Sequence, residues 1–358
     1  MEPSYLQDAI KAFAFRGNVT GCVRYGNGHI NETYRVTTDT DERYILQRLN
    51  PYIFHNPLDL IENVIAVTGY LAKSSVEPRD YMHFVPTADG KAYCYADADG
   101  AYWRASEFVK NSVCYEQATP EVFRASGVAF GTFQRRMSGF PTEKMHKLAP
   151  DFHNTVNRYR IFRETVQRNA ANRADACAEE IRFILEREQD AHGIVDPLFA
   201  GKIPWRVTHN DTKLDNVLFD ADTNAPLCVI DLDSVMPGSL LYDFGDSIRF
   251  GASTAVEDEP DLTKVRFVPE LFKMYVDGFL EGVGDAITDE EIALMPMSAR
   301  VITLEQALRF LADYLDGDVY YHTSRPNQNL DRARTQIKLV ADMEQSFDQM
   351  CAIVSNAR

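Results

Sequence analysis

The sequence contains no run of 18 or more apolar residues, so no membrane-spanning helix is expected. It contains no C-x-x-C pair either. Cys22, Cys94, Cys114, Cys177, Cys228 and Cys351 stand apart, which argues against structural zinc and suits reduced thiols. Basic residues are in the minority, 37 Lys and Arg against 53 Asp and Glu. A net charge of −16 argues against nucleic acid as a partner, because surfaces that track phosphates are basic. The opening Met1-Glu2-Pro3-Ser4-Tyr5-Leu6 lacks the basic-then-apolar order of a signal peptide. No internal repeat is visible, and 19 Gly with 16 Pro leave no collagenous or low-complexity tract. What remains is a cytoplasmic enzyme or small-ligand binding protein, with no membrane and no nucleic-acid partner expected.

What is present is ordinary globular material, 45% hydrophobic and 25% charged, and 358 residues suffice for two packed domains or one bilobal unit. The first hundred residues read as strands: 21–25, 32–37 and 43–49 are β-branched or aromatic with rough alternation, and 83–86, 91–95 and 102–109 follow in kind. Between them, 57–73 places Leu60, Ile61, Val64, Val67 and Leu71 at helical period. From Pro120 the texture turns helical, with long periodic segments at 121–137, 152–169 and 173–188. The interval 205–233 interrupts them with two short strand-loop units. The expectation is an α+β chain with a small β-rich lobe over 1–110 and a larger, mainly helical lobe over 111–358.

The densest chemical signal is Thr208-His209-Asn210-Asp211-Thr212-Lys213-Leu214-Asp215-Asn216, followed by Ile230-Asp231-Leu232-Asp233. Val217–Phe219 and Leu227–Ile230 read as a hairpin turning at 220–226, which would carry the polar loop and the acids to one edge. Asp211 could accept a proton, Asn216 and Asp231 offer oxygen to a hard cation, and Lys213 adds a mobile positive charge. Phosphoryl transfer needs this set: an oriented nucleophile, Mg²⁺ on the phosphates, and cations where charge develops.

The order His-x-Asp, four residues, Asn, then Ile-Asp resembles the aminoglycoside phosphotransferase and choline kinase superfamily. Met236-Pro237-Gly238-Ser239, Tyr242-Asp243-Phe244-Gly245-Asp246, Arg249-Phe250-Gly251, the run from Tyr25 to Asn31 and that from Arg309 to Leu315 are similar to the bacterial N-acetylhexosamine 1-kinases of that superfamily. The resemblance implies a bilobal, protein-kinase-like fold, ATP and Mg²⁺ as cofactors, and phosphorylation of an N-acetylhexosamine at its C1 hydroxyl; a monomer is expected, although the residues themselves are silent on oligomeric state. It implies Asp211 as catalytic base, Asn216 and Asp231 as metal ligands, and Lys213 as a γ-phosphate contact. His209 is expected to pack under the loop. Asp243-Phe244-Gly245 spells a metal motif but lies too far downstream, so Asp243 is expected to brace the loop. Asp233 is either a second metal contact or only a neighbour.

The nucleotide side is less explicit. Gly26-Asn27-Gly28 permits close approach of backbone N–H groups to phosphate, and Glu107 to Val109 is the expected hinge against adenine. Strand alternation puts Gln47 where the resemblance leads one to expect a lysine; Arg48, Lys213 or Mg²⁺ would have to compensate. Glu62 and Asn63 are alternative helix partners. For the sugar, His29, Phe250, Arg309 and Tyr320 are the candidates beside Asp211. Arg309 also has Glu305 and Asp313 at i−4 and i+4, so a surface ion pair would explain it equally well. Two other readings stay open: a kinase of choline, an amino-sugar antibiotic, homoserine or another small alcohol, and a nucleotide-binding regulator without turnover.

Overall fold

The structure, a computed structural model, describes residues 4–26 and 30–357. Its contacts divide the chain into two compact units, the first made of Met1–Val113, Leu218–Thr223 and Leu227–Val235. This unit holds α1 (Ser4–Ala12), β1 (Val19–Arg24), β2 (Glu32–Thr38), β3 (Arg43–Arg48), α2 (Pro57–Leu71), β4 (Phe84–Val85), β5 (Tyr95–Ala96), β6 (Tyr102–Glu107) and β7 (Ser112–Val113). The sheet order is β1-β2-β3-β6-β4, with β5 also on β6. Alternation sends Tyr34, Val36, Tyr44, Leu46, Trp103 and Ala105 to one face, where they bury against Leu6, Ala9, Ile10 and Phe13. The opposite face carries Thr33, Gln47 and Arg104 in one row, because Gln47 is in register with both of the others.

Helix α1 covers the core face of the sheet and was not expected from the sequence. Its apolar residues, Leu6, Ala9 and Ile10, span under two turns, too few to mark a period by themselves. Between β4 and β5, most of the expected strand at 91–95 is a turn closed by Thr87 N donating to Ala92 O at 2.8 Å, so only Tyr95 and Ala96 pair. A second sheet, β10-β9-β7, contains the expected hairpin, with β9 (Val217–Asp220) and β10 (Pro226–Val229) as neighbours.

The second unit comprises Cys114–Val217, Asn224–Pro226 and Met236–Arg358. It holds α3 (Pro120–Arg136), α4 (Thr155–Arg168), α5 (Ala178–Leu185), α6 (His192–Phe199), β8 (Arg206–Thr208), β11 (Met236–Gly238), α7 (Leu240–Gly251), α8 (Pro269–Val283), α9 (Asp289–Asp316), α10 (Gln328–Gln345) and α11 (Phe347–Asn356). The segment expected as one helix over 173–188 is broken, with a 3-10 turn at Ala174–Cys177 before α5. Helix α9 starts on a capping box, Thr288 with Glu291, and ends at Gly317 in the left-handed region (φ 101°). Helices α3 and α8 touch backbone to backbone. A Cβ on Gly127 would lie 2.7 Å from Tyr275 O, and one on Gly278 would overlap Arg124 O. Among the described residues no helix is long and apolar enough to cross a membrane.

Two outcomes follow from this packing. Gly127→Ala should cost about 1–3 kcal/mol by overpacking, whereas Gly69→Ala, at an exposed position of α2 where a Cβ meets nothing within 4 Å, should gain about 0.5–1 kcal/mol; urea unfolding compares them. Asp220 accepts from Arg79 Nη1 at 2.8 Å and from Thr223, and Arg79 above all holds its pKa at about 2. A depressed carboxyl stabilises the fold above its ordinary pKa and loses that contribution as pH falls. The melting difference between wild type and Arg79→Met should therefore be constant near neutrality and shrink from about pH 4 to about pH 2.

Candidate active site

The loop that follows β8 is shaped by α7. The sequence turns away from strand geometry at Asn210, whose φ is 64°. Asp243, wholly buried in the first turn of α7, accepts the backbone N–H of His209 at 2.9 Å on Oδ2 and that of Asn210 at 2.8 Å on Oδ1. Gln134 of α3 also donates to Asp243 Oδ2, at 2.8 Å. One turn on, Asp246 Oδ2 accepts from Thr212 N at 3.0 Å, and Ser247 Oγ donates to Thr212 O at 3.1 Å. Asp243 thus braces the loop, as its position downstream of Asp231 suggests. The His209 side chain is buried, its ring meeting Phe130 and Phe133 edge-on with centroids 5.5 and 6.2 Å away.

On this scaffold Asp211, Lys213 and Asn216 come together. Asn216 Nδ2 donates to Asp211 O at 2.8 Å and to Asp211 Oδ2 at 3.0 Å, and Lys213 Nζ lies 3.4 Å from Asp211 Oδ1. Burial raises the Asp211 pKa above the ordinary aspartate value; Lys213 opposes that rise and Asp246 adds to it. Burial works against the Lys213 charge, but Asp211, Asp215, Asp246 and Glu257 outweigh it and raise its pKa. With about a third of each side chain exposed, the pair can meet a ligand.

A second group of charges lies in the same unit. Arg249 donates to Asp246 Oδ1 at 2.9 Å and to Glu257 at 2.5 Å. Although burial opposes its charge, Asp246 stays below the ordinary aspartate range, through Arg249 first and His153 further off. His153 Nδ1 is 3.1 Å from Glu305 Oε1, both side chains buried. Glu305 is likewise held low against burial by His153, Arg309 and Arg158. Arg309 pairs with neither Glu305 nor Asp313. It donates to Gln306 at 3.2 Å between the rings of Phe152 and Tyr321, at 5.2 and 5.8 Å. Asp313 instead accepts the N–H groups of Val319, Tyr320 and Tyr321 and so folds the turn after α9. Tyr320 is 72% exposed on that turn, and Phe250 is partly exposed beside Arg249. Asp246, His153, Arg158 and the pairing of Glu305 were given no role from sequence. Asp246 could have been found from its place one turn after Asp243; His153 and Arg158 carry no local signal.

Of the other expected residues, Asp231, Gln47, Glu107, Val109 and Gly26 belong to the first unit, and Gly28 and His29 lie outside the described residues. Gly26 has φ 76° with open space around it. The Gln47 amide is engaged at both ends, by Thr33 and Arg104. Glu107 pairs with Arg16 at 3.0 Å, and Val109 O accepts from Ser112 Oγ at 2.7 Å. Arg48 is held by Asp97 at 2.9 Å beside Tyr5, on the core side of the sheet, so it does not compensate for Gln47. Asp231 is exposed in the left-handed region (φ 57°, ψ 57°) at the head of a 3-10 turn.

Among the described residues no group of three or more His, Cys, Asp or Glu is placed to hold a metal ion. A cation that is bound together with a phosphate ligand asks for fewer protein donors, because phosphate oxygens and water complete the shell. Taken each within its own unit, the donor types suit a hard cation: the Asn216 amide nitrogen faces Asp211, which turns its carbonyl oxygen to other use, and Asp231 carries an exposed carboxylate.

The sequence pattern of the phosphotransferase enzyme family (APH) matches residues 21–275. Solved structures share the fold. A microcompartment-associated aminopropanol kinase is 17% identical with a TM-score of 0.65, covering 96% of this chain and 97% of its own. An aminoglycoside phosphotransferase from Alicyclobacillus acidocaldarius is 15% identical with a TM-score of 0.63, covering 100% and 97%. An amicoumacin kinase in complex with AMP-PNP, Ca²⁺ and Ami is 13% identical with a TM-score of 0.60, covering 93% and 92%.

Asp243→Ala would strand the buried N–H groups of His209 and Asn210, at about 1–3 kcal/mol for each group left without a partner. Urea unfolding should show a loss of that size.

Proposed function

The chain belongs to the phosphotransferase enzyme family, and we propose that it moves the γ-phosphate of ATP to a hydroxyl of a small-molecule acceptor. The observation that carries this reading is the Asp211–Asn216 arrangement on a loop whose backbone is fixed by Asp243. In the reaction the acceptor oxygen forms a bond to Pγ, the bond from Pγ to the β-γ bridging oxygen breaks, and ADP leaves. Asp211 takes the acceptor proton late, as the charge on phosphorus spreads over its oxygens. Lys213, cationic beside Asp211, neutralises charge on the transferred group. Asn216 and Asp231 would be the protein ligands of Mg²⁺, which would supply charge to offset that of the phosphates. Gly26, Gly28, Gln47, Glu107 and Val109 are assigned to the nucleotide.

For the acceptor we propose an N-acetylhexosamine, phosphorylated at C1. His29, Phe250, Arg309 and Tyr320 are assigned to it beside Asp211. The charges of the second unit support a neutral, hydroxyl-bearing acceptor. A cationic amino alcohol or aminoglycoside is best received by carboxylates without partners of their own. Here Asp246 is matched by Arg249 and Glu305 by His153, while Arg158 and Arg309 have no carboxylate within ion-pair distance among the described residues. The second reading, an aminoalcohol or aminoglycoside kinase, is favoured by the named substrates of the solved structures of this fold.

A coupled ADP-release assay across N-acetylglucosamine, N-acetylgalactosamine, choline, ethanolamine and an aminoglycoside separates the two. Greater kcat/KM with any of the amines would overturn the sugar assignment. Asp211→Asn should lower kcat about 10²- to 10⁴-fold while leaving ATP affinity within a few-fold of wild type. Retention of full turnover by that variant would overturn the assignment of the base.

A further inference from the structure

Thr33, Gln47 and Arg104 form a row across β2, β3 and β6 on the face away from the core of the first unit. Gln47 Nε2 donates to Thr33 Oγ1 at 3.3 Å, and Gln47 Oε1 accepts from Arg104 Nε at 3.0 Å. The amide is engaged at both ends inside the sheet, one N–H remains beyond these two bonds, and its oxygen orients a guanidinium. Arg104 is only 3% exposed, and a buried guanidinium needs a counter-charge. It has one: Arg104 Nη1 lies 2.5 Å from Asp233 Oδ1, with the Phe84 ring 5.8 Å from the guanidinium carbon.

Asp233 is tied a second time, its Oδ2 accepting from Asn31 Nδ2 at 2.8 Å. Two residues on, Val235 O accepts from Asn63 Nδ2 of α2 at 3.0 Å. The 3-10 turn Leu232–Ser234 is therefore held at Asp233 and again just past its end at Val235, and Asp231 at its head sits in a left-handed conformation that persists only where its surroundings impose it. The cation of this row stands at position 104, one strand from Gln47, and points its charge at Asp233.

We infer that Arg104 is a positioning residue for the metal–nucleotide site: aimed by Gln47, it locks Asp233 and with it the turn that presents Asp231. Asp233 is the counter-ion of Arg104, and Asp231 is the one carboxylate that this turn gives to the metal. The inference rests on the reading of Asp231 as a metal ligand.

Calorimetric titration with AMP-PNP, with Mg²⁺ and with EDTA, tests it without acceptor or turnover. Wild type, Arg104→Met, Arg104→Lys, Asp233→Asn, the Arg104→Met/Asp233→Asn double variant and Asp231→Asn are compared, with melting temperature recorded for each. Arg104→Met should weaken the Mg²⁺-dependent binding about 10- to 100-fold, the usual effect of losing a partner behind a metal ligand. Binding in EDTA should change little. Arg104→Lys should recover part of the loss. The double variant should bind Mg²⁺–AMP-PNP better than Arg104→Met alone, because it removes the stranded carboxylate. Equal losses with and without Mg²⁺ would overturn the inference, as would additive losses for Arg104→Met and Asp233→Asn, which would mark Asp233 as a ligand in its own right. Wild-type Mg²⁺–AMP-PNP binding that Asp231→Asn leaves unchanged would instead bring down the metal assignment of the proposed function, and this inference with it.

Discussion

Two backbone N–H groups donated to one buried carboxylate set the geometry of the second unit. Asp243 receives His209 N and Asn210 N on its two oxygens, and the chain between β8 and β9 can adopt its non-strand path only because those donors are satisfied there. Everything chemical on the loop inherits this restraint. Asp211 follows directly, Thr212 is caught by Asp246 and Ser247, and Asn216 closes back on Asp211. A helix buried from Leu240 to Arg249 is a rigid base from which to aim a carboxylate.

The same logic, a buried charge whose partner fixes a loop, recurs in the first unit with Arg104 and Asp233. In both places the side chain proposed for the chemistry is at least partly exposed, and the neighbour that anchors its loop is buried. Asp211 is intermediate in burial and Asp231 exposed, while Asp243 and Arg104 are buried. Burial makes such anchors demanding, since an unmatched charge would cost more than the loop geometry is worth. Each is accordingly matched, by N–H donors in one case and by a carboxylate in the other.

The charge pattern also bears on the kind of acceptor. A chain with net charge −16 invites a cationic substrate on global grounds, yet a global field steers approach and does not fill a pocket. Locally, Arg249 is paired with Asp246, and Arg158 and Arg309 act on Glu305 from beyond ion-pair distance, with no carboxylate among the described residues at that distance.

The site was most legible where its members are close in sequence. His209, Asp211, Lys213 and Asn216 lie within one loop, so their spacing already brings them together, and the hairpin after them is readable from two apolar runs around a polar turn. The long periodic helices and the three leading strands were equally visible, because period and β-branching are local properties. Helix α1 was not, being too short to repeat its pattern. What tertiary structure alone decided are the pairings across distance. Arg104 finds Gln47 57 residues away through strand register, and His153 takes Glu305 152 residues away, which removes the helix neighbour that Arg309 would otherwise have had. Sequence specifies which charges exist and which stand side by side on one element. Which of them neutralise one another depends on burial and register, and those exist only once the elements have packed.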